Sequence, residues 1–270
     1  MIVPGLLSPK HPLLDPTRSV LGTGLPWESG GGGAPWSPLA LGSKLKLWLD
    51  ERGQVGSPID SIANHGDAAG SYSGAGANRP PVGSLGGVTP VPDYDGSNDR
   101  LEGGPALSAI ISASAYHGFC VVRVDTIARE FATPTYLSPA IVCDVGQFWG
   151  LFVRDSTVGA GTAYVVDAYH WDAGIKASSD TIALATDTLV EWRYDGSKIY
   201  VRVGAAAETA GTTAASVGGL AGATQLGADA SDVYHVDGKV GEILVCNAAL
   251  SAAERTSTRA YLATKFGVAA

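Results

Sequence analysis

The chain has 270 residues, of which 45% are hydrophobic and 16% are charged, and its formal net charge is −8. That length and hydrophobic content can bury one large core, and the 36 glycines favour tightly turned β-structure over long solvated helices. A net negative charge without a basic patch argues against binding to nucleic acid or to an anionic membrane surface.

Residues 1–40 differ in composition from the rest of the chain, with seven prolines and a run of four glycines. Proline lacks an N–H donor and glycine raises the chain entropy, so this segment cannot form a regular sheet or helix. It still carries apolar side chains that a solvated linker does not need. We predict a docking arm at 1–40 before a folded domain at 41–270, anchored on a partner by Leu6, Leu7, Trp27 and Trp36.

The N-terminus also lacks the features of a secretion signal. It has neither a basic region nor a long apolar region, and no stretch approaches the roughly eighteen apolar residues of a membrane span. We therefore expect synthesis and folding in the cytoplasm, without insertion into a membrane.

Strand patterns begin after the arm. Residues 44–50 alternate with period two, which predicts a strand with Leu45, Leu47 and Leu49 on one face. Residues 51–100 are rich in Gly, Pro, Ser and Asn and indicate long loops with short strands. Further apolar or alternating runs predict strands at 119–124, 147–154, 163–171 and 240–246.

The clearest local signal is a hairpin. Two alternating runs at 189–194 and 198–203 flank Asp195-Gly196, and this dipeptide suits a tight turn because glycine adopts positive φ freely. Val190, Trp192 and Tyr194 should then share one face of the first strand.

The chain ends with a predicted helix. Ser251 can cap the N–H of Glu254 while Glu254 reaches back to Ser251, a capping box, and the helix should run to about Phe266 with Gly267 as its stop. The three cysteines, Cys120, Cys143 and Cys246, lie in apolar runs. We interpret them as buried free thiols, with a disulfide between two of them as the alternative.

Several of these segments resemble one family. Residues 47–50 (Leu-Trp-Leu-Asp), 94–101 (Tyr-Asp-Gly-Ser-Asn-Asp-Arg-Leu), the hairpin, and residues 238–267 are similar to LamG-like jelly rolls of the concanavalin A-like lectin/glucanase superfamily. The resemblance implies an all-β, two-sheet antiparallel jelly-roll sandwich with a short C-terminal helix. Such domains behind an irregular arm and without a secretion signal look like those of bacteriophage virion proteins.

No catalytic pair stands out. Glycosidases of this superfamily carry two carboxylates on one strand, as in Glu-x-Asp-x-x-Glu, and the sequence has no such motif. Glu191 and Asp195 only bracket a hairpin strand, and the match of Glu242 to the family's recurring strand glutamate favours a structural hydrogen-bonding role. We expect no enzymatic activity.

Two segments are candidate binding sites, and each also has a purely structural explanation. Tyr169, His170 and Trp171 form an aromatic cluster that could stack on a sugar, although core packing is the alternative. Asp95, Asn98 and Asp99 offer oxygen ligands for Ca²⁺, although ordinary turn chemistry is favoured. We predict no other cofactor.

The leading hypothesis is a non-enzymatic bacteriophage virion structural protein, a capsid decoration or a head or tail fibre component. Its arm would dock on capsid proteins or neighbouring copies, as a homo-oligomer on the virion surface. The alternatives are a carbohydrate-binding module for host or environmental glycans and, less favoured, a glycoside hydrolase.

Overall fold

The structure is a computed structural model that describes residues 36–126, 140–144, 149–155, 164–170, 175–213, 220–228 and 235–270. The described residues fall within one unit, Trp36–Ala270. Within this part of the chain, no helix has the length and apolarity needed to cross a bilayer.

Strands dominate the described residues. Two helices accompany them, α1 at Leu107–Ile110 and α2 at Ala252–Phe266. Short 3₁₀ segments lie at Pro38–Lys44, Glu51–Gly53 and Gly76–Asn78. The strands, in chain order, are β1 Leu45–Leu49, β2 Gln54–Val55, β3 Ser61–Ala63, β4 Ser71–Ser73, β5 Val82–Leu85, β6 Val88–Asp95, β7 Tyr116–Thr126, β8 Ala140–Asp144, β9 Trp149–Asp155, β10 Tyr164–His170, β11 Ile175–Ile182, β12 Thr188–Tyr194, β13 Lys198–Val203, β14 Thr209–Thr213, β15 Thr224–Leu226 and β16 Asp237–Cys246.

These strands form two main sheets and one small one. The large sheet has the order β14-β13-β12-β7-β16-β6-β5, with β1 also paired to β16, and the second sheet has the order β11-β10-β9-β8-β15. Strands β2, β3 and β4 make the small third sheet. The pairings between described strands are antiparallel. The predicted all-β antiparallel sandwich with a C-terminal helix is confirmed.

The main core lies between the two large sheets. Trp149, Leu151 and Val153 of β9 face Trp192 and its neighbours on β12, and all are fully buried. The predicted hairpin supplies alternate residues of its two strands to this core. Asp195 closes its turn by accepting hydrogen bonds from the backbone N–H groups of Ser197 and Lys198. The period-two pattern correctly grouped Val190, Trp192 and Tyr194 on one face of β12, and this face points into the core.

Strand β1 departs from the prediction. Leu47 and Leu49 lie in the core between the sheets, but Leu45 packs with Trp48 on the outer face of the large sheet. The pairing of β1 with β16 shifts register between Leu45 and Leu47. This bulge adds one residue to the strand and turns Leu45 to the opposite face.

Helix α2 covers the outer face of the large sheet. Phe119 and Leu244 point outward from β7 and β16, and they pack with Leu262 and Phe266 of α2 in a second apolar cluster. The helix begins at the predicted capping box of Ser251 and ends at Gly267, whose φ is 67°. Cys120, Cys143 and Cys246 are buried thiols.

Candidate functional site

A buried carboxylate ties helix α2 to strand β12. Glu191 is only 2% exposed. Its Oε1 accepts hydrogen bonds from Nε2 of His117 at 2.7 Å and from Nε of Arg255 at 2.6 Å, and its Oε2 accepts from Nη1 of Arg259 at 3.2 Å. Burial acts to raise the pKa of Glu191, but the hydrogen bond from His117 and the guanidinium of Arg255 outweigh it and lower the pKa to about 2. Burial also lowers the pKa of His117, against the hydrogen bond and the charge of Glu191, which act to raise it.

The ion-pair network continues toward the surface. Nη2 of Arg255 donates to Oε1 of Glu208 at 2.6 Å, and Arg193 holds both oxygens of the same carboxylate at 2.9 Å and 2.7 Å. The Arg193 guanidinium lies 3.6 Å from the centroid of the Tyr200 ring. Because each group fixes the next, the side chains beside the helix are held in one arrangement.

A cavity of about 420 Å³ opens where β12, β13 and α2 meet. Charged groups line its sheet side and its helix side, while small residues on the exposed surface of α2 leave it accessible. We call it the arginine cavity, and it is lined by Glu191, Arg202, Ala252, Arg255, Thr256, Arg259, Ala260 and Ala270.

Arg202 stands apart from the other arginines of this cavity. It is the cross-strand partner of Glu191, so both side chains leave the same face of the sheet. The oxygens of Glu191 are already bonded to His117, Arg255 and Arg259. The Nε atom of Arg202 is buried and has no hydrogen-bond acceptor in the part of the chain that the structure describes.

A second buried carboxylate lies on the other side of β7. Glu242 of β16 is fully buried and accepts hydrogen bonds from Nε1 of Trp48 at 2.7 Å, from the hydroxyl of Tyr261 at 3.1 Å and from Nζ of Lys265 at 2.7 Å. Nζ of Lys265 also donates to Glu51 at 2.7 Å. Burial raises the pKa of Glu242 to about 7, although Lys265 opposes the shift. This carboxyl group has the structural role that the sequence predicted for it.

In the structure, Tyr169 of the predicted glycan-binding cluster is buried. Tyr169 is 7% exposed and packs edge-on against Phe152, with 6.3 Å between the ring centroids. It therefore belongs to the core, as the alternative reading held. His170 ends β10, but its side chain and the whole of Trp171 lie outside the described residues.

The candidate calcium ligands are engaged in a turn. Oδ1 of Asp95 accepts from the N–H of Ser97 at 2.8 Å, and Oδ2 of Asp99 accepts from the N–H of Asp95 at 3.1 Å. Asn98 donates to the carbonyl of Ala77 at 3.2 Å. Among the described residues, no group of three His, Cys, Asp or Glu side chains is placed to hold a metal ion.

One predicted docking residue makes an intramolecular contact. Trp36 is half-buried, and its ring lies 5.6 Å from that of Tyr261 in helix α2 of the same chain. From the sequence, we expected Trp36 to contact a partner protein. Leu6, Leu7 and Trp27 lie outside the described residues.

Sequence reasoning missed the arginine cavity. Arg255 and Arg259 stand four residues apart and so share one face of the predicted helix, which was a visible signal for a basic stripe. Glu191 is an acidic residue inside an alternating strand, a second signal. Nothing local joins them, because the Arg255 to Glu191 contact spans 64 positions.

Neither a protein-family model nor a curated protein matches the sequence. Solved structures share its fold. The chain is similar to Trypanosoma rangeli sialidase in complex with sialic acid, with a TM-score of 0.56 and 13% identity over 87% of this chain and 34% of that one. For a mutant of a GH54 α-L-arabinofuranosidase the TM-score is 0.50 and the identity 10%, over 74% and 49%. For domain 4 of a GH43 extracellular arabinanase from Geobacillus stearothermophilus, the TM-score is 0.47 and the identity 12%, over 79% of this chain and 97% of that one.

These comparisons show a β-sandwich that also occurs within carbohydrate-active enzymes. The chain spans about a third of the sialidase and half of the arabinofuranosidase. The interpretation as a bacteriophage virion structural protein is wrong, because the solved structures that share the fold are carbohydrate-active enzymes.

Proposed function

We propose that this domain binds carbohydrate without hydrolysing it, and that the ligand occupies the arginine cavity. The observation that carries the proposal is the cavity itself. Its volume of about 420 Å³ falls in the range of small-molecule sites, which run from about 300 to 1,000 Å³. Its guanidinium groups offer hydrogen-bond donors that suit sugar hydroxyl and ring oxygens, and the hydroxyl oxygen of Thr256, which donates to the carbonyl of Ala252, can accept from a sugar hydroxyl.

The network around the cavity supports binding by preorganisation. Glu191, Arg255 and Glu208 are linked by charge-assisted hydrogen bonds of 2.6 Å, so little side-chain freedom remains to be lost when a ligand arrives. The similarity in fold to a part of a sialidase and of an arabinofuranosidase agrees with a carbohydrate ligand.

The two buried glutamates support a role without catalysis. Glycoside hydrolysis needs a protonated acid and a second carboxylate that reach the same bond. Glu191 has a pKa of about 2, so it holds no proton to donate near neutral pH. Glu242 has a pKa of about 7, but it is fully buried under α2 and bonded to Trp48, Tyr261 and Lys265.

A bulky side chain on the helix surface tests the site. Ala260 is exposed and lines the cavity, whereas Ala253 is exposed on the same helix and does not line it. We expect the full chain to bind on a glycan array and the Ala260→Trp variant to lose at least about tenfold in affinity for the same glycan. The matched control, Ala253→Trp, should bind like the wild type, and thermal unfolding confirms that both variants fold.

Two results would overturn the proposal. The first is an array on which the wild-type chain binds no glycan. The second is an Ala260→Trp variant with unchanged affinity; if Trp171→Ala abolishes binding instead, the ligand sits at the end of β10, where the sequence first suggested an aromatic site.

A further inference from the structure

The cavity contains a positive group that the fold does not neutralise. Arg255 pairs with Glu191 and Glu208, and Arg259 pairs with Glu191. For Arg202, no carboxylate partner exists among the described residues, although its cross-strand neighbour is the acidic Glu191. Since that carboxylate is committed to the helix, Arg202 lines the cavity without an ion-pair partner among the described residues.

Two further observations indicate that this position favours an incoming anion. The Nε–H of Arg202 is buried without an acceptor, and an unsatisfied buried donor is costly, the more so on a charged group. The pKa of Arg259 is lowered by its burial and by the nearby charges of Arg202 and Arg255, against the attraction of Glu191. A negative charge placed among these guanidinium groups would satisfy the donor and relieve the repulsion.

We infer that the arginine cavity takes an acidic glycan and that Arg202 binds its anionic substituent, a carboxylate or a sulfate group. The inference rests on the proposed function, because it names the class of sugar bound at that same site. A guanidinium matches both anions, since its planar fork donates two parallel hydrogen bonds to two oxygens. The remaining lining groups, such as Thr256, then bind the neutral part of the sugar.

The test compares charged and uncharged forms of one sugar. Isothermal titration of the full chain uses glycosides of N-acetylneuraminic acid and of glucuronic acid, their methyl esters, and a neutral and a 6-sulfated galactoside. We expect an acidic form to bind at least about tenfold more tightly than its uncharged counterpart, and its affinity to fall between 50 and 200 mM salt, since added salt screens the charges. The better of the carboxylated and sulfated sugars identifies the anion.

Substitution of the arginine assigns the contact. Arg202→Gln removes the charge and keeps much of the side chain. It should weaken binding of the acid by a larger factor than binding of the ester, so that the preference for the acid is lost. Arg79→Gln is the matched control, because Arg79 is paired with Asp60 and does not line the cavity. This variant should bind like the wild type.

The outcomes separate the two proposals. Equal affinity for the acid and the ester, or full affinity in Arg202→Gln, overturns the acidic ligand while glycan binding at the cavity stands. If neither charged nor neutral sugars bind and the array is empty, the proposed function itself fails.

Discussion

Glu191 and Glu242 lie on the same outer face of the large sheet, on the two strands that flank β7, and helix α2 sends cationic side chains to both. Their pKa values nevertheless shift in opposite directions, to about 2 and to about 7. Glu191 meets two arginines and a histidine, whereas Glu242 meets one lysine that it shares with Glu51. Each carboxylate accepts hydrogen bonds from three side chains, so the charge of these donors, and not their number, decides whether burial or charge pairing wins.

Titration of Glu242 should make the fold less stable as the pH rises. Between about pH 4.5 and 7, the unfolded chain has released this proton while the folded chain still holds it, so a rise in pH through this window favours unfolding. A shift of this size is worth up to about 3 kcal/mol. Urea unfolding at pH 5 and 7.5 should show this loss of stability in the wild type relative to Glu242→Gln, which cannot titrate. Glu102→Gln, at an exposed residue, should keep the wild-type dependence, and so would Glu242→Gln if the assignment were wrong.

Glu191 should contribute far more to stability than a surface ion pair. Glu191→Ala leaves Arg255 and Arg259 beside a buried space without their carboxylate, and such a loss costs about 3–5 kcal/mol. Asp67→Ala, which removes the exposed partner of Lys46, should cost less than about 1 kcal/mol. Denaturant unfolding at pH 7 measures both. Similar small losses in the two variants would mean that Glu191 does not anchor the helix.

Removal of the N-terminal cap of α2 should have a smaller effect on stability, and it changes contacts within the helix only. The side chain of Ser251 accepts from the N–H of Glu254 at 3.3 Å, while Glu254 accepts from the N–H of Ser251 at 2.8 Å. Ser251→Ala should lower the free energy of unfolding by about 1 kcal/mol, and Ser251→Asp should recover most of it, since aspartate also caps. If alanine and aspartate behave alike at this position, the capping box does not stabilise the helix.

The fold could be predicted from the sequence where its signals are local. Period-two alternation grouped the core-facing residues of β12 on one face, and the capping box and Gly267 marked both ends of α2. Leu45 was assigned to the wrong face because a bulge depends on how β1 pairs with β16. No periodic pattern in β1 alone contains that information.

The candidate site could not be predicted from local sequence patterns, for a similar reason. Arg202 and Glu191 are adjacent through the register of the hairpin, but Arg255 joins them only when α2 packs across the sheet. The aromatic cluster of residues 169–171 was more conspicuous in the sequence, yet Tyr169 proved to be core. An aromatic side chain is suited both to burial in a core and to stacking on a sugar, so the residue type alone does not distinguish the two roles.

The pair of Gly118 and Trp192 shows how far packing constrains the central strands. The two residues are cross-strand partners on β7 and β12, and a Cβ atom added at Gly118 would lie 2.3 Å from the Trp192 ring. Gly118→Ala should therefore destabilise the fold by about 1–3 kcal/mol, because neither the backbone nor the buried indole has room to move.

A double-mutant cycle measures this contact directly. Trp192→Leu removes the ring and costs stability alone, but combined with Gly118→Ala it should lose at least about 1 kcal/mol less than the two single changes together, since the clash disappears with the ring. Combining Gly118→Ala with Ser251→Ala, whose contacts are with Glu254, should give additive losses. Additivity in the first pair as well would show that the glycine is required for a reason other than the approach of the indole.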